Sequence, residues 1–181
     1  SDYTFNLSLK KHFYISYTGN IYLKNEEYIA PIGLRLGVLG ETGWYISGRI
    51  NTAFLEPPEY EFDGENVLDY PSSQYYRING NMQYPLFSVT GGISSYLGGN
   101  FHLYLGAGYG SRKIYREIDE FSYTDDNKLN QAYILDKDYV KEGFKFEGGL
   151  LLRTNPLTFN LGLSNLKTTY TSIVLGVGIN F

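Results

Sequence analysis

The stretch Tyr170–Phe181 places the tightest limit on what this chain can become. Ile173, Leu175, Val177, Ile179 and Phe181 fall on one face, and Ser172, Val174, Gly176, Gly178 and Asn180 on the other. A repeat of two residues marks a strand, because successive side chains of a pleated backbone point to opposite sides. A face of large apolar groups that ends on an aromatic is poorly suited to water. It suits a strand whose outer side meets lipid. The other face, mostly Gly, Ser and Asn, suits a narrow polar interior.

The same alternation recurs along the chain. After a lead-in over residues 1–11, a strand over His12–Leu23 turns Phe13, Ile15, Tyr17, Ile21 and Leu23 outward, and His12, Tyr14, Ser16, Thr18 and Asn20 inward. Tyr28–Leu39 follows, with Ile32, Leu34, Leu36 and Val38 outward and Arg35 inward between glycines. Beyond the turn at Gly40–Gly43, Trp44–Leu55 shows Trp44, Ile46, Ile50 and Phe54 outside, and Tyr45, Ser47, Arg49 and Asn51 inside. A polar stretch from Glu56 to about Ser73 separates this from a fourth strand in the region Gln74–Leu97. The apolar parity there switches between Met82 and Phe87, so either a bulge sits near Pro85 or only Phe87–Leu97 is in the membrane.

Phe101–Glu117 is predicted as the fifth strand, with Phe101, Leu103, Leu105, Ala107 and Tyr109 outward and His102, Tyr104 and Arg112 inward. Ile118–Tyr139 is predicted as a second long polar loop. Val140–Arg153 places Phe144, Phe146, Leu150 and Leu152 outside and Lys145, Glu147 and Arg153 inside. Leu157–Lys167 and the closing stretch complete the set.

The count is eight strands, short turns alternating with long connections, as expected of a transmembrane β-barrel. The short-turn end gathers Phe13, Trp44, Phe101, Phe159 and Phe181, an aromatic girdle at one interface. A soluble barrel would carry its apolar face inward. Here the bulky apolar set is too large for a small interior, while Arg35, Arg49, Arg112, Lys145, Glu147 and Arg153, set among Gly, Ser and Asn, fit one. The expected fold is therefore all-β: an eight-stranded antiparallel up-and-down transmembrane barrel with a plugged polar lumen.

Composition agrees with this reading. The chain is rich in Tyr (19) and Gly (21), contains no Cys and only two His, and carries a net charge of −4. Disulfides and thiolate metal sites are excluded, histidine-based zinc chemistry has little to work with, and a nucleic-acid partner is disfavoured. No apolar run reaches the length of about 18 residues that a transmembrane helix needs, which does not bear on a barrel.

The eight alternating strands, the Gly-rich runs Leu105–Gly110 and Ser88–Gly92, and the closing Leu175–Phe181 together resemble the small outer-membrane β-barrels of Gram-negative bacteria. They are similar to the transmembrane domain of outer-membrane protein A and to outer-membrane protein X. The resemblance covers about residues 12–181 and is one of pattern. It implies residence in the bacterial outer membrane among lipid and lipopolysaccharide. It also implies that Phe181 is the terminal aromatic read by the barrel assembly machinery; residues 1–11 are themselves read as a lead-in on the periplasmic side.

Chemistry is sparse. The inward charges read as a salt-bridged plug with Glu147 as the acidic partner, and their cationic excess leaves room for a trapped anion or a further carboxylate such as Glu142. A lipid-modifying enzyme would need a nucleophile beside a histidine. His12-Phe-Tyr14 and His102-Leu-Tyr104 put Tyr there instead, on the wrong side of the membrane for the outer leaflet. No catalytic residue, cofactor or metal site is assigned, and the acidic stretches lack the spacing of an EF-hand calcium loop. The two polar stretches offer Glu59, Tyr60, Phe62, Asp63, Tyr70, Phe121, Tyr123 and Asp125 as an acidic, aromatic surface for an outer-membrane or surface protein partner. The expected function is a non-enzymatic scaffold or accessory subunit. The alternatives are an anchor for a periplasmic domain outside this chain and, less favoured, a small channel.

Overall fold

The structure, a computed structural model, describes residues 10–22, 31–51, 74–122, 124–168 and 170–181. The described strands are β1 (His12–Tyr22), β2 (Ile32–Leu39), β3 (Thr42–Ile50), β4 (Gln74–Gln83), β5 (Leu86–Gly98), β6 (Phe101–Arg112), β7 (Tyr115–Ser122), β8 (Lys128–Leu135), β9 (Lys141–Thr154), β10 (Leu157–Leu166) and β11 (Tyr170–Asn180). Eight of them close into a barrel in the order β1-β11-β10-β9-β6-β5-β3-β2, every pairing antiparallel. The ends of the chain close the ring, with Tyr14 opposite Asn180 and Tyr22 opposite Ser172. Closure removes every unpaired edge, the condition for placing strands in lipid.

The alternation resolves into an apolar outside and a polar inside. Phe13, Tyr17, Leu34, Ile93, Phe146 and Leu161 are exposed, while Ser16, Thr18, Arg35, Ser47, Arg49 and Thr90 are almost wholly buried. A water-soluble barrel would show the reverse. The outward row of β1 runs from Phe13 to Ile21. At about 3.3 Å per residue and a tilt of about 40°, it covers roughly 20 Å of membrane, close to the apolar band of about 25 Å such barrels present. Val38 has outward parity yet is buried, because it pairs with Phe13 on one side and Trp44 on the other.

The region 74–97 divides at Tyr84-Pro85: only β5 enters the barrel, and β4 leaves it. Proline supplies no N–H for a continuous ladder, which accounts for the break. Two further expectations are corrected. The fifth barrel strand stops at Arg112, short of Glu117. The stretch Ile118–Tyr139 is ordered as the end of β7, the whole of β8 and a short 3-10 turn at Lys137–Tyr139. Strands β4, β7 and β8 make a second sheet in that order, with Ile78 opposite Ile118 and Ile118 opposite Ala132. Its apolar residues are too few to stand out from the polar background. Because β4 leads into β5 and β7 follows β6, this sheet continues the barrel wall past the end opposite the short turns.

Candidate functional site

The lumen is organised around one carboxylate. Alternation along β9 turns Glu147 inward, and the same rule points Arg35 of β2 and Arg49 of β3 at it. Arg35 Nη2 donates to Glu147 Oε1 at 2.8 Å, and Arg49 Nη1 donates to Oε2 at 2.6 Å. These side chains are 0–1% exposed, so each charge depends on the others for stabilisation. The Arg35 guanidinium lies over the rings of Tyr45 and Tyr104, 4.7 and 4.2 Å from their centroids, and the two rings meet edge to face at 5.6 Å. Such cation–π contacts are strongest when desolvated, as here.

Two glycines make the seats for these rings. A Cβ on Gly106 would collide with the Tyr45 hydroxyl, and one on Gly162 with that of Tyr104. Tyr14, Tyr45 and Tyr104 form a cluster with Leu39 and Leu151, which lie toward the short-turn end. The barrel section is thus filled by rings, guanidiniums and two leucines. Inward parity identifies the tyrosines in the sequence, but nothing there ties them to Arg35. That signal is the pairing of bulky rings with glycines on neighbouring strands.

The other inward charges do not join this cluster. Lys145 is buried and donates to Ser88 Oγ at 2.7 Å. Arg112 sits toward the loop end, hydrogen-bonded to the Tyr170 hydroxyl and 4.1 Å from the centroid of its ring. Arg153 is half-buried near the short-turn end, opposite Thr158. Glu142 accepts from Ser111 Oγ at 2.8 Å and not from Lys145.

At the short-turn end Phe13, Trp44, Phe101, Phe159 and Phe181 are all exposed on the outer wall. The Phe181 N–H donates to the Phe13 carbonyl at 2.8 Å, tying the end of β11 to the start of β1. His12 Nδ1 lies 3.3 Å from the Phe181 carbonyl oxygen, and the His102 ring packs edge-on to Tyr96 at 5.5 Å.

Beyond the opposite end, the β4-β7-β8 sheet carries many charges, several of them paired. Arg116 pairs with Asp136 and Lys128 with Asp119, both at 2.6 Å, and Arg77 lies 5.0 Å from the Phe121 ring centroid. Glu117 is buried and accepts from Asn81 at 3.2 Å and Tyr133 at 3.0 Å. Asp125 is exposed, and hydrogen bonds from Ser122 and Asn127 hold its carboxyl below the usual carboxylate range. Among the described residues no group of three or more His, Asp or Glu is placed to hold a metal ion. Glu59, Tyr60, Phe62, Asp63, Tyr70 and Tyr123 lie outside the described residues, as do residues 1–9 of the lead-in.

No family model matches the chain, and no curated protein matches it. Among solved structures it is similar to Ail, the attachment invasion locus protein of Yersinia pestis, at 14% identity and a TM-score of 0.50, over 97% of this chain and 100% of that one. The same protein in complex with the heparin analogue sucrose octasulfate aligns at 14% identity and a TM-score of 0.53, again over 97% and 100% of the two chains. The N-terminal β-barrel domain of Pseudomonas aeruginosa OprF aligns at 15% identity and a TM-score of 0.49, over 94% and 97%. Likeness at such identities is likeness of fold. The fold is that of the small eight-stranded outer-membrane β-barrels.

Proposed function

We propose that this chain is a non-enzymatic barrel of the bacterial outer membrane that holds its loop-end sheet out to a protein partner. One observation carries the reading: the barrel wall continues past the membrane as the ordered sheet β4-β7-β8, while the lumen is filled. The cross-section at Arg35, Tyr45 and Tyr104 is occupied by side chains, which leaves no passage for an organic substrate there, and the two histidines pack against a carbonyl and a tyrosine. The sheet offers a hydrogen-bonded platform with exposed Asp125 and Asp126 between β7 and β8, exposed Asp138 in the turn after β8, and Arg77 stacked on Phe121. Acidic groups on a preformed surface favour a partner with a basic face. The complex of Ail with a heparin analogue concerns a polyanion, and the acid excess here speaks against that class of ligand.

The test is extraction from native membranes in mild detergent, with identification of what accompanies the barrel. A stoichiometric protein that is lost when the β7–β8 hairpin is replaced by a short turn supports the proposal. A barrel that emerges alone, or a partner indifferent to that replacement, sinks it.

A further inference from the structure

Above the Arg35–Glu147–Arg49 cluster the lumen contains a buried cation that makes no direct ion pair among the described residues. Lys145 is 5% exposed, and its ammonium has three protons to place. Its one side-chain hydrogen bond among the described residues goes to Ser88 Oγ, at 2.7 Å. Both oxygens of Glu147 are taken by the arginines, and Glu142 is bound to Ser111. Arg49 Nη2 likewise has no acceptor among the described residues. Three cations and one carboxylate therefore share a low-dielectric interior, a state that needs a negative charge or the loss of a proton.

Beside Lys145 lies a cavity of about 20 Å³, lined also by Asn20, Ser88, Ser164, Leu166 and Ser172. A cavity of this size admits one water-sized occupant. Its polar lining offers the Lys145 ammonium and three serine hydroxyls as donors, beside one acceptor without a partner among the described residues, Asn20 Oδ1. Ser172 Oγ accepts from Asn20 Nδ2 at 2.7 Å, and Ser88 Oγ accepts from Lys145, so both hydroxyl protons are free to turn toward an anion. We infer that this cavity is a binding site for one small monovalent anion of the halide class, held between the Lys145 ammonium and the hydroxyls of Ser88, Ser164 and Ser172. The volume suits a single small ion, and no carboxylate among the described residues lines the site to repel it.

The test is bromide diffraction on the whole chain. Crystals soaked in bromide should show an anomalous peak within contact distance of Lys145 Nζ, absent in Lys145→Met. In parallel, the thermal midpoint should rise with bromide or chloride at constant ionic strength, set with gluconate, and stay flat in Lys145→Met. Should that variant fail to fold, Ser164→Ala provides the second arm, with the halide dependence moved to higher concentration. Density for water alone, or bromide found only on the outer surface, overturns the site. A midpoint indifferent to halide does the same.

Discussion

Glu147 is the residue on which the interior depends, because two buried guanidiniums share its two oxygens. Glu147→Gln leaves both arginines charged and uncompensated, and should cost about 3–5 kcal/mol, read from reversible unfolding in lipid or detergent. Replacing Arg35, Arg49 and Glu147 together with apolar groups of similar volume should cost far less, since no buried charge is then orphaned. A second prediction concerns shape. Gly106→Ala should destabilise the barrel by about 1–3 kcal/mol through overpacking against Tyr45, and Tyr45→Phe should restore part of the loss by removing the hydroxyl nearest the new methyl. A double-mutant cycle with no coupling would refute that contact. At this scale the sequence was only half readable. Parity shows that Arg35, Arg49 and Glu147 share the inside. Which of them meet depends on the stagger of strands far apart in the chain, a quantity no local pattern contains.

Among elements, the barrel strands and the loop-end strands are hydrogen-bonded as two distinct sheets. Arg112 and Lys141 are direct partners across β6 and β9, so a short turn can join them in place of the chain between. A variant so shortened should still fold and insert, seen as unchanged heat-modifiable migration, because every barrel ladder remains. If it does not assemble, β7 and β8 are structural parts of the barrel and not an appendage. The wall itself is tested at Leu161, exposed in the middle of β10 between Leu150 and Leu175. Leu161→Arg puts a charge in the lipid band and should destabilise by about 2–4 kcal/mol; the same change at Thr168, exposed beyond the end of β10, should cost about 0–1. Strands in the barrel were legible because lipid demands a strict apolar row on one side. Strands β4, β7 and β8 were not, because a sheet standing in water, with buried Glu117 and paired Asp119 and Asp136, tolerates charges on either face.

At the scale of the whole molecule, the barrel is a closed cylinder whose cross-section at the Arg35–Glu147–Arg49 level is occupied by side chains. Planar bilayers containing it should show no steady conductance. Sustained openings abolished by Arg49→Ala would mean that the packed arginines line a path and do not block one.

Closure of the ring by β1 and β11 has a consequence for how such an object comes into being. Tyr14 emerges from the ribosome early and gains Gly37 on one side, but its other side has no neighbour until Asn180 has followed it. No shorter product is a smaller barrel: a chain lacking β11 keeps two raw strand edges, and its greasy rows have nowhere to hide. The nascent protein is thus committed to travel as an unfinished, sticky polymer. Its biogenesis calls for an escort in water and a seam that is sewn last, inside the bilayer.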